Sequence, residues 1–76
     1  MNRQHLIRMA NQIGAFFEAM PDREQAVIDI GTHLRCTWEP RMREEILRSL
    51  GTADEAKLKP MVREALIALG ASAKPV

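Results

Sequence analysis

Residues 6–20 read LIRMANQIGAFFEAM, and the spacing of apolar side chains in this run decides the fold class. Wound at about 100° per residue, Leu6, Met9, Ile13, Phe16, Phe17 and Met20 fall within an arc of roughly 100°. The spacing predicts an amphipathic helix with those six residues on its inner face. Pro21 closes it, because the ring has no N–H for the helical ladder and restricts the residue before it. Asp22 follows, a side chain suited to accept from a free backbone amide and cap the next helix.

Outward from this run the same period repeats. A second helix is predicted over Arg23–Thr37, with Ala26, Val27, Ile30, Leu34 and Trp38 facing inward. Gly31 lies on that stripe. A mid-helix glycine costs about 0.5 to 1 kcal/mol relative to alanine, so it is either kept for the close approach of another helix or is a tolerated weak spot. Pro40 suits the first turn of a third helix carrying Met42, Ile46, Leu47 and Leu50, and Gly51 supplies a left-handed stop. Thr52-Ala53-Asp54-Glu55 has the form of a capping box that starts a short turn. Pro60 opens a last helix, where Leu58, Met61, Val62, Ala65, Leu66 and Leu69 share one face until Gly70. No strand-like alternation and no repeat is present. The expected fold is all-α, a small bundle of three to four short helices in a single domain over residues 1–76, with residues 71–76 as a frayed tail.

Eleven basic and ten acidic side chains leave a net charge of +1. Such a balance produces no long-range field to gather nucleic acid or coat an anionic membrane. Met1 to Arg8 has no continuous apolar region, so neither a signal peptide nor a membrane span is expected. A single cysteine, Cys36, excludes an internal disulfide framework and suits a reducing compartment, which places the protein in the cytoplasm. A chain this short buries only about 60% of the surface it exposes when unfolded, so its stability margin is thin and gains from a partner.

Chemistry is sparse. His33 and Cys36 stand one turn apart, but a closed zinc site needs four ligands, and His5 is the only other histidine. No metal site and no catalytic site is expected, and no glycine-rich phosphate loop is present. A helix-turn-helix is the tempting alternative, since Ile30, Gly31, Leu34, Cys36, Thr37, Met42 and Ile46 occupy compatible spacings. Against it, Arg35 stands where that turn favours glycine, and Glu39, Glu44 and Glu45 would face phosphates.

Some residues are left over from an internal role. Ile7, Ile28 and Ile67 each fall off the stripe of their own helix and would form a docking patch if they converged. Asn11 and Gln12, beside Ala10 and Gly14, make a mixture suited to close approach and hydrogen bonding across an interface. Arg43 falls on the inner side of the third helix, while Arg41 and Arg48 point away. Its stem runs along the core edge, with the guanidinium either presented to a partner or snorkelling to water.

These residues also carry a family pattern. Leu6-Ile7-Arg8-Met9-Ala10-Asn11-Gln12-Ile13 with Phe16 and Phe17, then His33, Leu34, Trp38, Pro40, Arg41, Met42 and Arg43, then Leu58, Pro60, Val62, Arg63, Ala65 and Leu66 resemble, in order, the delta subunit of soluble, molybdenum-containing, NAD-dependent formate dehydrogenases. Cys36 and Thr37 depart from that pattern, in which a basic and an aromatic residue often precede the tryptophan. The resemblance implies a non-catalytic accessory subunit of a cytoplasmic complex that oxidises formate to carbon dioxide and reduces NAD. In that family an alpha subunit holds the molybdenum cofactor and iron–sulfur clusters, and beta and gamma subunits carry electrons to NAD through flavin and further clusters. The delta subunit itself binds none of these cofactors and acts in assembly or stability, with the alpha subunit as its expected partner. Asn11, Gln12, Trp38, Arg41 and Arg43 are the expected partner-binding residues, although Trp38 also reads as core. Nucleic acid and membrane are not expected partners; self-association is possible for the isolated chain.

Overall fold

A computed structural model describes residues 2–73. Four α-helices follow one another, α1 (Arg3–Phe17), α2 (Arg23–Thr37), α3 (Pro40–Leu47) and α4 (Pro60–Ala73), with a 3-10 turn at Ala53–Lys57 between the last two. No strand occurs among the described residues. The all-α bundle expected from the periodicity is therefore the fold. α4 is the centre: α1, α2 and α3 all pack on it, α2 most extensively. The Cα radius of gyration, 11.5 Å, is close to the value of about 11 Å for a well-packed chain of this length.

The helix ends follow from local chemistry. Asn2 caps α1 by accepting from the amides of Gln4 and His5, and Asp22 caps α2 by accepting from Gln25. Pro21 cannot give the Phe17 carbonyl the bond that would continue α1. Met20 donates to that carbonyl instead at 3.0 Å, and the helix stops at Phe17 rather than running on to Met20. Pro40 occupies the first turn of α3, as its sequence position implied. Beyond α3 the chain turns at Gly51, where φ is +82°. The capping box expected at Thr52 forms in altered shape: Thr52 accepts from the Asp54 amide, while the Glu55 carboxylate reaches back to the Gly51 amide at 2.9 Å instead of to Thr52. α4 continues through Gly70 to Ala73, past its expected stop. Of the expected frayed tail, residues 74–76 lie outside the described residues.

The core follows the expected inner stripes of α2, α3 and α4 and widens that of α1. Ala26, Ile30, Leu34 and Trp38 from α2 and its cap, Ile46 from α3, and Leu58, Met61, Val62, Ala65, Leu66 and Leu69 along α4 are buried. In α1 the buried residues are Leu6, Ile7, Ala10 and Gly14, whereas Phe16, expected inside, is 74% exposed. Of the other residues expected on that face, Leu6 is buried and Met9, Ile13, Phe17 and Met20 are half-buried against the core, so the face holds and extends around the helix to Ile7, Ala10 and Gly14. A Cβ added to Gly14 would sit 2.5 Å from Cγ2 of Val62, so the Val62 side chain packs where any larger residue at 14 would clash. Ala10 and Gly14 admit α4, and Ile7, on their side of the helix, is buried with them.

Arg35, where a DNA-reading turn would fall, lies within the last turn of α2. Among the described residues no non-glycine residue has positive φ, so the turn geometry of that alternative is not present.

Candidate functional site

Of the five residues singled out as partner-binding, three have side chains engaged within the chain. Asn11 bridges α1 to the segment before α4: its amide donates to the Lys57 carbonyl at 2.9 Å and its oxygen accepts from the Lys59 amide at 2.9 Å. Trp38 caps the C-terminus of α2 with its side chain in the core, 6% exposed. Arg43 donates to the carbonyls of Arg35, at 3.0 Å, and of Trp38. These are carbonyls at the end of α2 that the helix itself leaves unsatisfied. Neither reading offered for Arg43 anticipated this, since its guanidinium is turned back onto the chain. Gln12 and Arg41 are exposed.

The three isoleucines do not converge. Ile7 is core at 3% exposure, a correction to its reading as a spare apolar residue, while Ile28 and Ile67 are 58% and 49% exposed. They line different depressions. Ile28 borders a groove between α2 and α4 together with Val27, Gly31, Arg35, Ala65, Ala68 and Leu69. Ile67 lies in an open depression between α3 and α4 with Leu47, Leu50, Gly70 and Ala71.

The second depression is the candidate site. Every side chain that lines it is apolar, so it has nothing to orient a small polar ligand. Its aliphatic groups, on α4, at the end of α3 and in the turn that follows, surround a glycine backbone, an apolar surface of the kind that suits docking of another protein. Leu47 is the last residue of α3 and Leu50 lies in the turn that follows it, and both are half buried. Ile67 and Ala71 come from the flank of α4 beyond its buried stripe. The periodicity signalled Ile67 as surplus; its meeting with Leu47 and Leu50 depends on the crossing of two helices and is not visible in the sequence.

Charges around the bundle are mostly structural. Arg3 pairs with Glu45 at 2.7 Å and with Asp54 at 3.5 Å, tying the start of α1 to α3 and to the 3-10 turn. Hydrogen bonds from Gln4 and Lys57 hold the Asp54 carboxyl below its ordinary value. Arg23 does the same for Glu64, joining α2 to α4. His33 and Cys36 are both exposed, and the His33 ring meets Phe17 edge-on at 6.3 Å between centroids. Among the described residues no group of three His, Cys, Asp or Glu side chains is placed to hold a metal ion, and no helix is long and apolar enough to cross a membrane.

No curated protein and no solved structure matches the chain. The family model of the NADH-dependent formate dehydrogenase delta subunit, FdsD, matches residues 5–66. That span begins in the first turns of α1 and ends within α4, taking in every helix of the bundle. The chain therefore belongs to the formate dehydrogenase delta subunit family.

Proposed function

We propose that this chain is a non-catalytic accessory subunit that promotes assembly or stability of an NAD-dependent molybdenum formate dehydrogenase by docking on the catalytic alpha subunit in the cytoplasm. The observation that carries the docking role is the depression of Leu47, Leu50, Ile67, Gly70 and Ala71, lined by apolar side chains from α4, the end of α3 and the turn that follows it. A small bundle acts in such a complex by burying surface, which lowers the free energy of the assembled state relative to its parts. The molybdenum cofactor, iron–sulfur clusters, flavin and NAD belong to the alpha, beta and gamma subunits in this reading. Gln12 and Arg41 join the docking surface as exposed polar groups; Asn11, Trp38 and Arg43 serve it indirectly, by holding the helices that present it.

The test is to express the formate dehydrogenase operon with the wild-type chain, without it, and with Ile67→Asp. Formate-dependent NAD reduction, molybdenum content and subunit composition are then measured together. Loss of activity with depleted molybdenum or dissociated subunits in the deletion, and loss of this chain from the purified complex in Ile67→Asp, is the expected result. A complex that is fully active, fully loaded and intact without the chain would overturn the assembly role. Retention of Ile67→Asp in the complex would move docking to another face.

A further inference from the structure

One side of α2 away from its buried stripe carries residues whose spacing is symmetric and whose ends are complementary. Glu24, Ile28, Gly31 and Arg35 follow one another at i, i+4, i+7 and i+11, and fall within an arc of about 60°. Glu24 and Arg35 are equally distant from the point midway between Asp29 and Ile30, and so are Ile28 and Gly31. A two-fold axis through that point and perpendicular to the helix would lay a second α2 antiparallel on the first. Glu24 of each copy would then face Arg35 of the other, and Ile28 of each would face Gly31 of the other.

The surroundings suit that pairing. Ile28 is a large aliphatic side chain 58% exposed. Gly31 opens on the groove toward Ala65 and Ala68 of α4, a mostly apolar hollow that Val27 and Leu69 also line. The Glu24 and Arg35 side chains have no hydrogen bond or ion pair among the described residues, while their neighbours are engaged, Arg23 with Glu64 and Gln25 with Asp29. Two charges of opposite sign thus flank an apolar knob and an apolar hollow on a face about 16 Å long. We infer that this face of α2 is a homodimer interface, formed by antiparallel, two-fold pairing with a second copy of this chain. The interface is isologous, so each contact occurs twice and the surface closes on itself. It is also small, below about 1,200 Å² in total, which belongs to weak, concentration-dependent association. It lies apart from the α3–α4 depression and does not depend on the function proposed above.

Sedimentation velocity of the purified full-length chain over a concentration series tests the inference, with circular dichroism to verify that each variant is folded. The wild type is expected to pass from monomer to dimer as concentration rises. Glu24→Arg or Arg35→Glu alone should weaken association about tenfold, since symmetry turns two attractive pairs into two repulsive ones. The double variant E24R/R35E should restore it to within about twofold, a rescue that no loss of helix stability would produce. Ile28→Asp should leave a folded monomer. A wild type that stays monomeric up to about 1 mM, a charge swap that fails to restore pairing, or a dimer lost on Ile67→Asp and kept on Ile28→Asp would each overturn the interface.

Discussion

Asn11 carries more of this fold than its half-buried, polar position suggests. One side-chain amide satisfies a carbonyl and an amide of the segment that leads into α4, and so fixes where that helix begins relative to α1. Asn11→Ala should cost about 1 to 3 kcal/mol, because two backbone groups lose their partner together. In a domain of this size each kcal/mol lowers the melting temperature by about 4 to 8 °C, which thermal denaturation of the isolated chain would register. Arg43 and Arg41 make a second comparison at this scale. Arg43→Ala removes the donor to the carbonyls at the end of α2 and should lower stability by about 1 to 2 kcal/mol. Arg41→Ala, at an exposed position, should change it by less than about 0.5 kcal/mol. Equal melting temperatures for the two variants would show that Arg43 does not hold the helix end.

At the scale of the helices, two glycines of similar sequence setting play opposite parts. Gly14 lies where α1 and α4 approach most closely, and an added Cβ would meet Val62 at 2.5 Å. Val62 is fully buried and has no room to yield, so Gly14→Ala should destabilise by about 1 to 3 kcal/mol through overpacking. Val62→Ala in the same chain should recover part of that loss, because it removes the clashing methyl. At Gly31 the nearest atom to an added Cβ is the Ala65 carbonyl oxygen at 3.9 Å, an ordinary contact. Gly31→Ala should therefore stabilise the monomer by about 0.5 to 1 kcal/mol from helix propensity alone. Urea denaturation of the two single variants would display the opposite signs. Of the two readings of Gly31 from sequence, the tolerated weak spot holds within a single chain; close approach belongs to the second copy inferred above.

For the molecule as a whole, ion pairs tie the start of α1 to α3 and to the 3-10 turn, and α2 to α4, and this makes stability depend on acid. Asp54 binds Gln4, Arg3 and Lys57 and titrates below its ordinary value of about 3.8. A carboxyl with a lowered folded-state pKa stabilises the fold above its unfolded value, and that contribution fades as pH falls through the folded value. Asp54→Asn should accordingly melt below the wild type at pH 7, and the gap should close as the pH is taken below about 3.8. Glu64 follows the same direction through Arg23, with less effect because both partners are about half exposed and screened by solvent. Melting curves across acid pH, with and without salt, would separate the two. A gap that persisted unchanged in acid would show that Asp54 acts by packing rather than by charge.

Much of the architecture was legible in the residues themselves because it rests on short-range rules. The stripes of α2 and α4, the caps at Asp22 and Pro40, and the left-handed turn at Gly51 all follow from groups within one or two helical turns of each other. The order of motifs along the chain likewise pointed to the delta subunit family, whose model matches residues 5–66. Tertiary structure alone decided the rest. The expected inner face of α1 holds for Leu6, Met9, Ile13, Phe17 and Met20, but Ala10 and Gly14 admit α4 beside it, which buries Ile7, while Phe16 is left exposed. How far the buried face extends around a helix depends on the partner helix that packs on it. Asn11 and Arg43 were recognised as unusual from sequence, yet their partners lie in segments whose positions only packing sets. The depression of Leu47, Leu50 and Ile67 is of the same kind, because a surface shared by two helices exists only after they cross.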